Sequence, residues 1–206
     1  MFKFIFCFTV LFLSSFHLFG DGSDSYLFNR GLTCWKTGRY DTAIRYFQNY
    51  QKRNSSNHEE SAKAFLWIGK CQYYKWNVDE AITAFKTVLT VYPSSGIAPS
   101  AHKWIGDCHF HSRRYTLAIT AYQQYIIAFP SDEAVPLALY FLGKAYQKTG
   151  ELDKAISVLQ RVMNQYPSHY IANQCRLLLH AINKKVMSYR GCPCAASSEC
   201  LFVFAV

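Results

Sequence analysis

Three groups of side chains in this 206-residue sequence are of types that do chemistry. The first is CHFH, Cys108 to His111, where a thiol and two imidazoles offer ligands for a borderline metal. His109 and His111 are two residues apart, and a helix sends that spacing to different faces, so ordinary helix residues are the plainer reading. The second is Cys192, Cys194 and Cys200 in the closing RGCPCAASSECLFVFAV. Structural zinc wants four ligands, usually with two-residue spacing, so Cys-x-Cys alone is a weak metal signal. The third is a set of lysines mixed with aromatics, able to meet carboxylates and apolar anchors on a partner. There is no phosphate loop, dinucleotide fingerprint, zinc-protease motif or nucleophile elbow. The chain therefore reads as a non-enzyme, with no catalytic residue, no metal and no cofactor assigned.

The charge balance is basic. Lys plus Arg number 22 against 13 Asp plus Glu, a formal charge of +9. Ordinary solvated faces are the plainer reading, and an acidic partner or an anionic lipid surface the functional one. The basic residues are scattered rather than gathered in one arm and no recognition motif accompanies them, which argues against nucleic acid.

The elements that must position these side chains announce themselves by repetition. Gly and Ala stand twelve apart, and Ala and Pro twelve apart, in Gly69–Ala81–Pro93, Gly106–Ala118–Pro130 and Gly143–Ala155–Pro167. A fourth copy, Gly31–Ala43, has Ser55 where Pro would fall. A fixed period in this range signals a solenoid. Apolar residues recur at three and four, as in Leu139, Leu142 and Tyr146, then Ala155, Ile156 and Leu159. The small residues let two antiparallel helices approach. Gly38 and Gly150 suit the left-handed corner after a first helix, and the prolines end each second one. The spacing predicts four helix pairs near 24–57, 62–95, 99–132 and 136–169, with RNSSNHEE (53–60) as the longest polar linker. A capping helix follows from about Tyr170 to Met187, as a solenoid end requires.

These residues resemble the tetratricopeptide repeat (TPR) family: Leu139, Leu142-Gly143, Tyr146, Ala155, Leu159 and Pro167 in one copy, and Phe65, Ile68-Gly69, Ala81, Phe85 and Pro93 in another. The resemblance implies an all-α, right-handed superhelical solenoid of about four helix-turn-helix repeats plus the capping helix. Gln72 and His109 depart from the usual Tyr. Successive glycines lie 38, 37 and 37 apart, against a common period of about 34, and the extra residues fall between Pro and the next Gly. That spacing, with Tyr-Pro-Ser and Phe-Pro-Ser, looks like bacterial envelope members of the family. Those are the outer-membrane barrel-assembly lipoprotein and the periplasmic coordinator of the Tol-Pal system. Neither match is complete, since no lipoprotein cysteine follows the N-terminal apolar run and no coiled coil precedes the repeats.

By the same resemblance, four residues of the first repeat's first helix and five of each later one face a concave groove. They are Phe28, Leu32, Trp35 and Lys36 in the first repeat, and Lys63, Leu66, Lys70, Tyr73 and Tyr74 in the second. The third contributes Ser100, Lys103, Asp107, Phe110 and His111, and the fourth Leu137, Tyr140, Lys144, Gln147 and Lys148. The candidate partner-binding set is Trp35, Lys36, Lys63, Lys70, Tyr73, Tyr74, Lys103, Phe110, His111, Tyr140, Lys144 and Lys148. The plainer alternative has Phe28, Leu66 and Phe110 simply packing between repeats. Leu32, Lys70 and Asp107 at the ninth positions do not match the family's chaperone-tail clamp.

The N-terminus has a secretory layout: Lys3, an apolar Phe4–Phe19, then polar residues from Asp21. A signal at 1–22, cleaved after Gly20 or Gly22, implies export to the periplasm. An uncleaved run of about 16 residues is short for a bilayer span. Of the eight cysteines, Cys71 and Cys108 fall at one place in their repeats and Cys34 one residue further along, a pattern of small core residues rather than of disulfides. Cys175 is expected to pack in the last helix. Residues 188–206 read as an irregular tail. The expectation is an exported, non-enzymatic scaffold binding a protein or peptide partner, in cell-envelope or outer-membrane assembly. Its alternatives are a membrane-anchored structural subunit with an uncleaved N-terminal segment, and a metal-handling protein using the tail cysteines.

Overall fold

The helical period and its glycine–proline punctuation run through the chain as expected. The structure, a computed structural model, describes residues 20–189, and every regular element among them is an α-helix. In chain order these are α1 (Gly20–Lys36), α2 (Tyr40–Arg53), α3 (His58–Tyr74), α4 (Val78–Val91), α5 (Ala98–His111), α6 (Tyr115–Ala128), α7 (Val135–Thr149), α8 (Leu152–Gln165) and α9 (Ile171–Tyr189). The export signal lies outside the described residues except for Gly20–Gly22, which belong to α1, and the tail lies outside from residue 190 onward. Among the described residues no helix is long and apolar enough to cross a membrane. The chain divides into two compact units, the first ending at Cys108 and the second beginning at His109. In the first, α1 packs on α2, α2 on α3, and α3 on α4. In the second, α6 packs on α7, α7 on α8, and α9 on both α8 and α7.

The helix glycines explain the close approach within a pair. A Cβ on Gly31 would lie 2.7 Å from the Phe47 ring, and one on Gly69 2.5 Å from Phe85. On Gly143 it would lie 2.9 Å from Leu159. The Phe47 and Phe85 rings, pressed against their glycines, then turn their other faces to the next repeat, and Tyr122 at the matching place stacks likewise. Phe47 stacks on Trp67 with centroids 5.9 Å apart, Phe85 on Trp104 at 5.9 Å, and Tyr122 on Phe141 at 6.2 Å. At the C-terminal end the corresponding places hold Leu159 and Leu178, both within one apolar core. The glycine place in α9 holds His180, which is exposed, so the last helix closes the array with a polar residue.

The corner after each first helix has one geometry in all four repeats. Gly38, Trp76, Arg113 and Gly150 each stand seven residues after a helix glycine, with φ of 74°, 64°, 61° and 87°. The following amide reaches back five residues, as in Arg39 N–H to the Cys34 carbonyl at 2.9 Å and Asn77 N–H to that of Gln72 at 3.0 Å. Arg114 to His109 and Glu151 to Tyr146 repeat it at 2.9 Å. This is the helix-ending pattern that glycine makes easy. Sequence reasoning found it at Gly38 and Gly150 and missed it at Trp76 and Arg113, where the repeat imposes it on residues that disfavour it.

The residues beyond a period of about 34 are used in the connections. After α4, Ser95 N–H donates to the Tyr92 carbonyl at 3.1 Å and Ala98 N–H to that of Ser95 at 3.1 Å. The same two consecutive turns recur at Phe129–Asp132–Val135 and at Tyr166–His169–Ala172. Acidic side chains tie these connections down. Glu59 accepts from Gly96 N–H at 3.1 Å, and the Tyr125 hydroxyl donates to Asp132 at 2.5 Å. The Tyr50 hydroxyl, at the matching place, donates to Glu60. Burial and that carboxylate both raise the Tyr50 pKa, burial the more. The first connection is shorter than the polar run 53–60 suggested. The Asn57 carboxamide caps α3 by accepting from the amides of Glu59 and Glu60 at 3.1 and 3.2 Å, which draws His58–Glu60 into the helix.

The core cysteines sit where their repeat positions put them. Cys34, Cys71, Cys108 and Cys175 are all buried, and all four are thiols rather than disulfides. Burial pushes the Cys71 thiol up to about 12 and the Cys175 thiol to about 11, so neither is a thiolate at neutral pH.

Two outcomes test this packing. Trp76→Gly and Arg113→Gly each relieve a left-handed residue worth about 1–2 kcal/mol, and Trp76 is 73% exposed, so its side chain gives up little packing. Glycine's greater freedom in the unfolded chain takes back roughly 0.5–1 kcal/mol, so a net gain of about 1 kcal/mol should raise the thermal midpoint of each variant by about 2–4 °C. Gly69→Ala forces a methyl onto Phe85, which cannot retreat because Trp104 lies behind it. Urea denaturation should show a loss of about 1–3 kcal/mol, although alanine is the better helix former.

Candidate functional site

The first helices carry the predicted partner-binding residues, and the aromatic stacking decides how those residues are presented. In the first unit, Trp35 at the end of α1 sets its ring edge-on to Trp67 at 5.1 Å and to Tyr74 at 5.7 Å. Tyr74 in turn stacks on Tyr40 at 5.8 Å and meets Tyr73 edge-on at 5.3 Å. Tyr73 reaches Trp104 of α5 at 5.2 Å. One continuous aromatic surface thus runs from α1 through α3 to α5. Lys36 is exposed beside it.

Lysines lie on these rings. Lys63 Nζ stands 4.4 Å from the Phe28 centroid and 3.4 Å from the Glu60 carboxylate. Lys70 Nζ lies 4.2 Å from the Trp67 centroid and 5.5 Å from that of Trp104. Lys103 Nζ lies 5.3 Å from Trp104 and makes a 2.6 Å ion pair with Asp107, one turn on. Both partners are largely buried, with 16% and 8% of their side chains exposed. Lys63 and Lys103 are therefore answered by carboxylates of their own helices. Lys70 is held by ring faces, and burial, then the charge of Lys103, lowers its pKa. Burial raises the pKa of Tyr73, with the Asp107 charge adding to it.

In the second unit, Lys144 repeats the arrangement of Lys70. Its ammonium is 5.5 Å from the Phe110 and Phe141 centroids and 5.4 Å from that of Tyr140. Tyr140 is half-buried, and Lys148 and His111 are exposed. Phe110 is buried and packs edge-on to Phe141 at 5.2 Å and to Tyr115 at 5.6 Å. Leu66 is likewise buried and Phe28 packs against Phe47, as the packing alternative has it. Among the described residues, no carboxylate pairs with Lys70 or Lys144.

Sequence reasoning missed the rings that organise this face. Trp67, Trp104 and Phe141 each stand two residues before a helix glycine, in WIGK, WIGD and FLGK. The signal was there in the repeat spacing. It also missed that Lys103 and Asp107, one helical turn apart, neutralise each other. CHFH is not a ligand cluster: Cys108 is buried in the core while His111 is exposed. Among the described residues no three His, Cys, Asp or Glu side chains are placed to hold a metal. A second concavity, an open groove of about 690 Å³, lies between α2 and α4 over Phe65 and Ile68. It contains none of the predicted residues.

The two kinds of lysine differ in what their removal does. Lys103→Met leaves the Asp107 carboxylate buried without its lysine and should cost about 3 kcal/mol in chemical denaturation. Lys70→Met keeps the aliphatic stem on Trp67 and removes a desolvated charge, so its effect should stay within about 1 kcal/mol. Equal losses would mean that Lys70 is as firmly paired as Lys103.

Comparisons with known proteins agree with the helical-repeat fold. Two family models described as tetratricopeptide repeat match the chain, one at residues 28–95 and 72–133, the other at 137–169. No curated protein matches significantly. Among solved structures, MamA (41-end) from Desulfovibrio magneticus RS-1 is 20% identical with a TM-score of 0.64, over 82% of this chain and 88% of that one. The apo form of RapI gives a TM-score of 0.71 at 13% identity, over 81% of this chain and 50% of that one. A putative kinesin light chain from Podosopora anserina, with nearly identical TPR-like repeats, gives 0.61 at 12% identity, over 81% and 86%. At these identities the likeness is one of fold, and the fold is the helical TPR solenoid. Because the matched repeats take in more than half of the sequence, the chain belongs to the tetratricopeptide repeat family.

Proposed function

We propose that this protein is a non-enzymatic, exported scaffold that holds a protein or peptide partner on its first-helix face, in the work of a bacterial cell envelope or outer-membrane assembly. A TPR array is typically an interaction scaffold, because stacked helix pairs offer an extended preformed surface. One observation carries the choice of face. Lys70 and Lys144, at the same repeat place, each rest on aromatic rings and are answered by no carboxylate among the described residues. A half-buried ammonium without a counter-ion is an unfinished interaction. The acidic group of a partner completes it, with an apolar anchor beside it on Tyr73 or Tyr140. Export rests on the layout of residues 1–22, and the envelope setting on the 37-residue spacing with its Tyr-Pro-Ser and Phe-Pro-Ser.

The test is crosslinking in intact, fractionated cells, with partners and the N-terminus read by mass spectrometry. Envelope proteins should be recovered with a mature chain starting near Asp21 or Ser23. A chain that keeps Met1 in the membrane fraction would favour the anchored subunit, and cytoplasmic partners would overturn export. Against any recovered partner, the triple variant Lys70→Gln, Tyr73→Phe, Lys144→Gln should bind at least about tenfold more weakly, or about 1.4 kcal/mol. Unchanged affinity would remove this face as the site.

A further inference from the structure

The groove between α2 and α4 is open at a place that the second unit closes. There the matching floor residues, Leu139 and Leu142 of α7, are only 1% and 4% exposed. Ile126 of α6 and Val158 of α8 pack in that core. In the first unit Gln51 and Ala84 hold those two places. The smaller and more polar pair leaves Phe65 and Ile68 half-buried beneath an opening of about 690 Å³. The polar rim differs in the same way. In the second unit Gln123 donates its amide to the Tyr146 hydroxyl at 2.8 Å. Its counterpart Gln48 lacks that partner, since Gln72 stands at the place of Tyr146 and accepts from Asn77 at 3.0 Å. Among the described residues, Gln48, Gln51, Lys52 and Glu80 all line the groove with no hydrogen bond or ion pair of their own. Thr83 and Thr87 on the α4 wall donate to carbonyls of their own helix at 2.8 and 3.0 Å, so they bring no free donor.

We propose that this groove is a second docking site and that its occupant is an extended peptide segment of a partner. A basic side chain of that segment meets Glu80, an apolar one lies on Phe65 and Ile68, and an acidic one meets Lys52. The unspent groups on the rim decide this chemistry. A carboxamide carries both donors and an acceptor, which is what the backbone of an extended peptide asks of its neighbours. Gln48 and Gln51 stand one helical turn apart, about 5–6 Å, close to the roughly 6.6 Å between alternate residues of an extended chain. A helical occupant has already spent its backbone groups on itself, and an aliphatic one would leave both amides unpaired. The α4 wall from Asp79 to Thr87 runs about 12 Å, the length of about four extended residues. Opposite charges stand on the two walls, Lys52 in the last turn of α2 and Glu80 in the first turn of α4. A ligand of a single sign is repelled at one of them, whereas a segment of mixed charge satisfies both. The site uses none of the lysine-bearing face and stands or falls apart from the proposed function.

The test is an NMR titration of the full chain with two end-blocked peptides of equal length. The first carries lysine, leucine and glutamate at alternate positions with serine between them, so that all three share one face. The second has glutamate in place of the lysine. The first peptide should shift the side-chain amide signals of Gln48 and Gln51 and bind at least about tenfold more tightly than the second. Glu80→Lys should reverse that preference. The double variant Gln51→Ile, Ala84→Val copies the closed groove of the second unit. It should weaken binding of the first peptide at least about tenfold while leaving the chain no less stable in urea, so that lost binding is not lost folding. No shift up to about 1 mM peptide, equal binding of the two peptides, or unchanged binding by the filled variant overturns the proposal. Shifts confined to the surroundings of Lys70 and Lys144 also overturn it, and would assign the peptide to the lysine-bearing face instead.

Discussion

A ring caught between a missing side chain and a second ring holds this chain in order. Phe47 reaches Trp67 only because Gly31 has no Cβ to keep it away, and Phe85 reaches Trp104 by grace of Gly69. Each contact does two jobs at once. It sets the distance between the helices of one repeat, and it sets the rotation of the next first helix about its own axis. Aromatic pairs in offset stacks contribute about 0.5–1.5 kcal/mol beyond their buried area. Repeated down a solenoid, a nearest-neighbour contact of that size becomes the main coupling between units that cannot fold alone.

The lysine-bearing face follows from that rotation. With Trp67 and Trp104 pinned from behind, their free edges and faces turn toward the side on which Lys70 and Lys103 emerge. The rings that stack in the core are therefore the rings that cradle the lysines. The core and the lysine-bearing face share atoms here, so a change to either ring alters both. The connections add a polar layer to the same scheme. Tyr50 and Tyr125 bond to acidic residues at their joints, while Val88 and Val162 at the matching places are wholly buried and apolar. At this one place, then, a tyrosine hydroxyl alternates with a buried valine from repeat to repeat.

Much of this was legible because repetition multiplies weak signals. One Gly in a helix says little, but four at the same spacing located the helix pairs, the capping helix and the buried cysteines. Illegible features were those in which the third dimension outvotes local preference. Nothing about Trp76 or Arg113 proposes a left-handed corner, yet the repeat puts both there. The run RNSSNHEE looks like linker by composition, but Asn57 turns its second half into the first turn of α3. On the candidate site, the lysines were identified by position. That Lys103 is spent on Asp107 while Lys70 lies on indole depends on side-chain reach, which spacing alone does not decide. Compartment and partner leave no mark on helix packing, so they rest on the N-terminal layout and on the lysine face.

The buried cysteines have a kinetic consequence. In the folded chain Cys34, Cys71, Cys108 and Cys175 are closed to solvent, and burial raises the Cys71 and Cys175 thiol pKa values enough to keep those two sulfurs unreactive. Unfolding restores ordinary thiols at four points spread along the chain. Wherever an oxidant is present, an excursion that would otherwise reverse becomes trapped by a disulfide the native packing cannot accommodate. The lifetime of the protein is then governed by how seldom it opens rather than by how favourably it closes.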